Sequence, residues 1–142
     1  MASKVVGLTV FKDRDEPGAE LVEMNLLEGL GIEGDLHQGG ERQVTLLSAE
    51  TRRWVEEQAE RGLCFARFKE NILVEGLSMD DIKLGDLLTV GSAVLKMSMM
   101  KPCFPECTRA SKDMPCQLSG RAVFAVVEQS GTVRVGDEVN KK

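Results

Sequence analysis

"GDLLTVGSAVLKMSMM", residues 85–100, decides how this chain is read. The runs "GDLLTVG" and "AVLKMSMM" form two strands joined at Gly91-Ser92, a short Gly-containing connection. Met97, Met99 and Met100 could suggest a copper site. On a strand such methionines are more often core filler, and that is the reading taken here.

The same texture continues on both sides. Downstream, "AVFAVVEQSGTVRVGDEV" (122–139) reads as a hairpin with Ser130-Gly131 as its turn, closing on a last short strand. Upstream, "KVVGLTVF" is rich in β-branched residues and predicts a strand over 4–11. "DRDEPGAE" is a charged turn around Pro17 and Gly18. "LVEMNLLEGLGIEGD" reads as a strand followed by a Gly-punctuated turn. "RQVTLLS" predicts a buried strand over 42–47, and "ENILVEG" another over 70–75. "LGD" at 84–86 and "VGD" at 135–137 are read as turns, because Gly-Asp commonly marks them.

One helix interrupts the strands, in "SAETRRWVEEQAERG". Ser48 is the expected N-cap and Glu50 favours the first turn. Thr51, Val55 and Ala59 fall on one stripe, and Gly62 is the expected stop. Arg52–Glu56 and Arg53–Glu57 stand at i,i+4 in the weaker order and add little. Many short strands and one helix predict a mainly β fold with a few helices (α+β), a barrel or sandwich. A length of 142 residues without a linker or low-complexity run predicts a single domain over 1–142, long enough to bury a core.

Composition narrows the function classes. Apolar residues make up 42% and charged residues 29%, as in an ordinary soluble protein. No apolar run approaches the roughly 18–20 residues of a membrane span. The start "MASKVVGLTVFKDRD" has no signal-peptide core, so a cytoplasmic location is expected. The net charge of −5 argues against nucleic acid as a partner.

In a reducing compartment the four cysteines point to a metal or reactive role rather than a disulfide. Three of them, Cys103, Cys107 and Cys116, lie in "MKPCFPECTRASKDMPC" with Pro102, Pro105 and Pro115. Between Lys96 and Lys112 stand four bases (Lys96, Lys101, Arg109, Lys112) and one acid (Glu106), read either as a basic setting that lowers thiol pKa and attracts anions or as plain charge alternation on exposed loops. Cys64, between Leu63 and Phe65, reads as a small buried hydrophobe. A zinc site would need four ligands, usually as two close pairs. Cys-x3-Cys is not the usual knuckle spacing, and Cys116 with Cys64 or His37 would have to complete the set. A zinc-stapled structural or adaptor module is therefore one alternative.

Two further segments can bind. "GIEGDLHQGGERQ" holds the only histidine, His37, between Gly34 and the Gly39-Gly40 pair, with Asp35 and Arg42 near it. Glycines let the backbone approach a ligand closely, so this loop is either an anion site or a plain turn. "RFKEN" gathers Arg67, Lys69, Glu70 and Asn71 before a strand, as a polar binding edge or an ordinary charged strand entry.

"GIEGDLHQGGERQVTLLSAE", "RFKENILVEGL", "KLGDLLTVGSAVLKM", the cysteine stretch and "GRAVFAVVEQSGTVRVGDEV" follow one another in this order. Together they closely resemble the MOSC domain, the C-terminal domain of molybdenum cofactor sulfurases, in a small stand-alone bacterial form. The resemblance spans roughly residues 4–139 and implies a closed, strand-rich barrel. It also implies molybdenum cofactor (molybdopterin) as ligand, with a late cysteine as metal ligand or sulfur handler. Cys107 and Cys103 both match, Cys107 slightly better. Cys116 matches a further cysteine of small bacterial members.

Thiolate suits a thiophilic metal centre. The pterin's phosphate would be met by Arg42, Arg67, Lys69 or Arg109, with His37 and Asn71 as further cofactor-binding candidates. One departure is "CQLSGRAVF", which lacks the proline and acidic residue common there in small relatives, so no catalysis is assigned to that edge.

The resemblance implies a protein that carries, delivers or sulfurates the cofactor, with cofactor-biosynthesis or cysteine desulfurase proteins as partners. A second implied reading is a small molybdenum reductase of N-hydroxylated compounds that borrows its electron donors. No lysine lies in a pyridoxal-phosphate motif, and that cofactor is not expected. Oligomeric state is not readable from these residues.

Overall fold

The computed structural model describes residues 3–13, 18–57, 70–77, 81–100 and 123–142. It is built from strands β1 (Ser3–Val10), β2 (Ala19–Leu21), β3 (Glu23–Leu27), β4 (Gly31–Ile32) and β5 (Val44–Ser48), helix α1 (Ala49–Glu57), and strands β6 (Ile72–Glu75), β7 (Leu87–Val90), β8 (Ala93–Met100), β9 (Val123–Gln129), β10 (Gly131–Arg134) and β11 (Glu138–Lys141).

The main sheet runs β11-β7-β8-β9-β5-β6-β1-β2, and a β11–β1 pairing closes it into a barrel of seven strands with β2 outside the ring. The expected mainly β barrel is the observed fold, with one helix among the described residues. Closure pairs the edges that an open sheet would expose. All neighbours are antiparallel except β5 and β6, which run parallel, with Leu46 opposite Ile72. Such a pair needs a crossover, and α1 lies on it.

Alternation sorts each strand into two faces. Val44, Leu46, Ile72, Val74, Leu95, Met97, Val123, Ala125 and Val127 point into the barrel and are at most 2% exposed. Met97 is thus core filler, as read. On the outer face Leu47 and Phe124 join Val55 of the helix, with Trp54, Leu73 and Met99 packed against them.

Of three register shifts, the two in β1 and late in β8 change this parity. In β1 the register shifts between Val5 and Gly7, so Leu8 and Val10 follow Val5 into the core while Thr9 turns outward. In β8 it shifts between Met97 and Met99, and the intervening Ser98 sends its hydroxyl to the carbonyls of Phe124, at 3.1 Å, and Glu41.

The helix begins as expected. The Ser48 hydroxyl accepts the Thr51 N–H at 3.1 Å, and Thr51 and Val55 are buried. Ala59 and Gly62 lie outside the described residues. Arg52 pairs with Glu70.

One local expectation is corrected. Ser130-Gly131 is not a hairpin turn: β9 pairs with β8 and β5, whereas β10 pairs with β3 in a second sheet, β10-β3-β4. The chain bends from one sheet into the other. The Ser130 hydroxyl accepts the Glu28 N–H at 2.7 Å, and a side chain at Gly131 would lie 2.4 Å from the Ser92 carbonyl carbon. Only glycine permits that approach.

Candidate functional site

The loop between β4 and β5, residues 33–43, lies across the outer face of the barrel wall. Its left-handed turns fall at Gly34, Gly39 and Gly40, with φ of 85°, 78° and 71°. A side chain would meet nothing within 4 Å at any of them, so the glycines serve backbone conformation there.

Buried polar groups fix this loop at both ends. Asp35, whose side chain is 0% exposed, is the anchor at the start. Its Oδ1 accepts the Phe11 N–H at 2.9 Å and an Asn71 side-chain N–H at 3.0 Å. Its Oδ2 accepts the His37 backbone N–H at 2.9 Å and lies 3.3 Å from His37 Nδ1. At the other end the Gln43 amide donates to the carbonyls of Gly29 and Gly40 and accepts the Val127 N–H. Between these ends, Gly39 donates to the Leu30 carbonyl at 2.7 Å and Gln38 to that of Ile32 at 3.2 Å.

Asn71 ties the anchor to the wall. Its Nδ2 donates to Asp35 and to the Thr9 carbonyl, at 3.0 and 3.1 Å. Its Oδ1 accepts the N–H and the hydroxyl of Thr45, at 3.0 and 2.9 Å. Two donors and two acceptor positions are thereby used, and the residue is 1% exposed. Its side chain has no bonding capacity left for a ligand. What Asn71 does here is hold Asp35, Thr9 and Thr45 together.

His37 and Arg42 face solvent. The His37 side chain is 46% exposed, and the Arg42 guanidinium lies 5.1 Å from the Phe124 ring centroid. That stacking orients the cation and leaves its edge open. The structure thus joins His37 and Asn71 through Asp35, and puts Arg42 at the far end of the same loop. Arg67, Lys69, Cys103, Cys107, Arg109, Cys64 and Cys116 lie outside the described residues. Met100 and Val123, which flank the cysteine-bearing stretch, are paired with one another, and Val123 also pairs with Leu46 of β5. Among the described residues no three His, Cys, Asp or Glu side chains come close enough to hold a metal ion.

A cleft of about 800 Å³ opens along the outer side of β1, between β2 and α1. Thr9 and Asn71 form the wall it shares with the network. Glu20, Glu56 and Glu70 outnumber Arg52 there, so its field disfavours an anion. No described helix is long and apolar enough to cross a membrane.

Sequence reasoning named Asp35 beside His37 but missed its role as anchor, and it missed Gln43, Thr45, Ser98 and Phe124 altogether. The available signal was polar side chains inside apolar runs. Gln43, Thr45 and Asn71 stand in or beside two buried strands, where a polar group must find a partner.

The comparisons agree with this architecture. The chain matches the MOSC domain over residues 33–140. It is similar in fold to the YuaD protein from Bacillus subtilis, with 22% identity, a TM-score of 0.69, and coverage of 98% of this chain and 94% of that one. It is also similar to YiiM from Escherichia coli (22% identity, TM-score 0.64, 100% and 70% coverage) and to YiiM from Geobacillus stearothermophilus (18%, 0.65, 99% and 75%). No curated protein matches the sequence. The match over most of its length, on a closed seven-strand barrel, makes this chain a member of the MOSC domain family.

Proposed function

We propose that this chain binds molybdenum cofactor, or a precursor of it, at the loop 33–43, and carries, delivers or sulfurates it in the cytoplasm. The observation that carries the reading is the preformed loop. Asp35 and Gln43 hold it at both ends, and it presents Arg42 and His37 outward beside the strands that lead into the cysteine stretch.

The donor set fits the group's anionic end. Arg42 is fixed over Phe124 and gives a planar, two-pronged donor for phosphate. Gly39 and Gly40 carry no side chain that would block a close approach to the loop. Arg67, Lys69 and Arg109 are further bases for that end, and Cys107 or Cys103 supplies the soft thiolate. When bound, the group supplies a redox-active, sulfur-binding metal. The chain's own residues would hold its phosphate, and a thiol made acidic by the basic stretch would ligate the metal or accept the outer sulfur of a partner's persulfide, whose thiolate leaves. Ordering costs at the phosphate end are already met by the fold, which favours binding.

The test is reconstitution. Purified protein is incubated with molybdenum cofactor released from a donor protein, and bound pterin and metal are quantified. Stoichiometric uptake is expected. Arg42→Ala should weaken pterin retention, and Cys107→Ser with Cys103→Ser should abolish metal retention. Wild-type protein that takes up neither pterin nor molybdenum contradicts the proposal. Stoichiometric zinc lost with Cys103→Ser and Cys116→Ser, together with unfolding, assigns the thiols to a structural metal instead.

A further inference from the structure

The Asp35–His37 pair has a chemistry that anchoring a loop does not require. A backbone N–H alone would satisfy Asp35 Oδ2, yet the imidazole Nδ1 also lies 3.3 Å from that oxygen. We propose that His37 is an acid–base residue that works through Nε2, and that Asp35 is the positioning residue that fixes its tautomer.

A carboxylate oxygen accepts hydrogen bonds and does not donate them, so its placement 3.3 Å from Nδ1 favours the tautomer with the proton on that nitrogen. In neutral His37 the proton is on Nδ1, and Nε2 keeps its lone pair. Asp35 cannot turn away, because the N–H groups of Phe11, Asn71 and His37 hold both of its oxygens. Its side chain is 0% exposed, while that of His37 is 46% exposed. The carboxylate is therefore buried and rigid, and the ring beside it reaches solvent. A surface histidine without such a partner chooses its tautomer freely.

The step this permits is a proton transfer to or from a protic group, O–H or S–H, bound at the rim of the loop. Nε2 takes the proton and the oxygen or sulfur keeps the electron pair. The proton then leaves to water along the exposed edge of the ring. The proposal rests on the reading that a ligand is held at this loop. Its test uses no ligand, so the two can fail separately.

The chain has one histidine, which makes the test unambiguous. Long-range proton–nitrogen NMR of the whole chain, at a pH where His37 is neutral, reports the tautomer directly. The expected spectrum shows a protonated Nδ1 and a bare Nε2, with the balance moving to protonated Nε2 in Asp35→Asn. A wild-type spectrum with the proton on Nε2 overturns the proposal, and that result does not depend on whether Asp35→Asn folds. Acylation by diethyl pyrocarbonate then reads the availability of the lone pair. Wild type should take up one carbethoxy group on imidazole, His37→Gln none, and Asp35→Asn one at a rate severalfold slower. Equal rates for wild type and a folded Asp35→Asn overturn the role of Asp35.

Discussion

Aspartates shape this chain's loops in two ways. Asp86 and Asp137 close turns of identical design. Each follows a glycine with positive φ, 89° at Gly85 and 97° at Gly136. Each donates its N–H to the carbonyl three residues back and accepts that residue's N–H on its own carboxylate, Lys83 at 2.9 Å and Arg134 at 2.8 Å. These carboxylate bonds stay within four residues and face solvent, while the turn backbones also bond Met97 and Val5. Asp35 uses the same carboxylate to hold Phe11, His37 and Asn71, across as many as 36 positions of chain. The first kind shapes one turn. The second fixes the loop against three strands and depends on the whole barrel being closed.

The largest effect should come from breaking the second kind. Asn71→Ala takes one bond each from the Thr45 N–H, the Thr45 hydroxyl, the Thr9 carbonyl and Asp35 Oδ1, which keeps only the Phe11 N–H, in a place where water has little access. At about 1–3 kcal/mol for each unsatisfied buried group, the loss should reach about 3 kcal/mol or more. Equilibrium denaturation reads it as a lower midpoint. A loss near that of a surface substitution would mean that water replaces the amide and that the network is not the anchor.

Next comes Asp35→Asn. The new amide cannot accept on both sides, and it faces the His37 N–H with a donor. A loss of about 1–3 kcal/mol is expected, again from denaturation. The local turns should yield less. Gly85→Ala and Gly136→Ala meet no steric obstacle, so each costs only the left-handed conformation, roughly 1–2 kcal/mol. The two losses should be equal, because the turns are. A clear difference between them would show that the surroundings, not the turn, set the cost.

The smallest effect is electrostatic. The Lys83 backbone N–H, and then Lys141, hold the Asp86 carboxyl below the usual aspartate range. A group whose folded pKa is lowered stabilises fully above its unfolded value and loses that contribution as pH falls through the folded one. Wild type should therefore exceed Asp86→Asn slightly in thermal midpoint near neutrality, and the gap should close as acid is added. A gap that widens in acid contradicts the assignment. The carboxylate is partly open to solvent, so the whole effect is small.

The contrast also explains what the sequence disclosed. The Gly-Asp turns, the strand at 87–90 and its partner after Gly91-Ser92 are set by neighbours in the chain, and they were legible. So was Ser48 as a cap. The barrel itself followed from strand texture and from the ordered MOSC-like segments. Ser130-Gly131 misled, because the same two residues make a hairpin turn or a bend between sheets. Which one forms depends on Ser92 and Glu28, far away in sequence. The bulges that turn Thr9 outward and aim Ser98 at Glu41 leave no local mark in apolar runs. Asn71 looked like a ligand-binding side chain because it is polar and stands in a charged stretch. Only the closed barrel shows that Thr9, Thr45 and Asp35 use all of its amide. His37 and Arg42 were legible as candidates from the glycines around them, but their orientation by Asp35 and Phe124 was not.

Amide hydrogen exchange tests the central claim, that buried long-range bonds hold this loop as firmly as the barrel. The Phe11, Leu36 and His37 N–H groups all lie in bonds at or beside Asp35, whereas those of Lys83 and Arg134 lie in the local turns. Measured under native conditions, the first three should open with a free energy close to that of core amides such as Leu46. The turn amides should open far more easily. If the Phe11, Leu36 and His37 amides exchange as fast as those of Lys83 and Arg134, the loop is not preformed, and the account of the site fails with it.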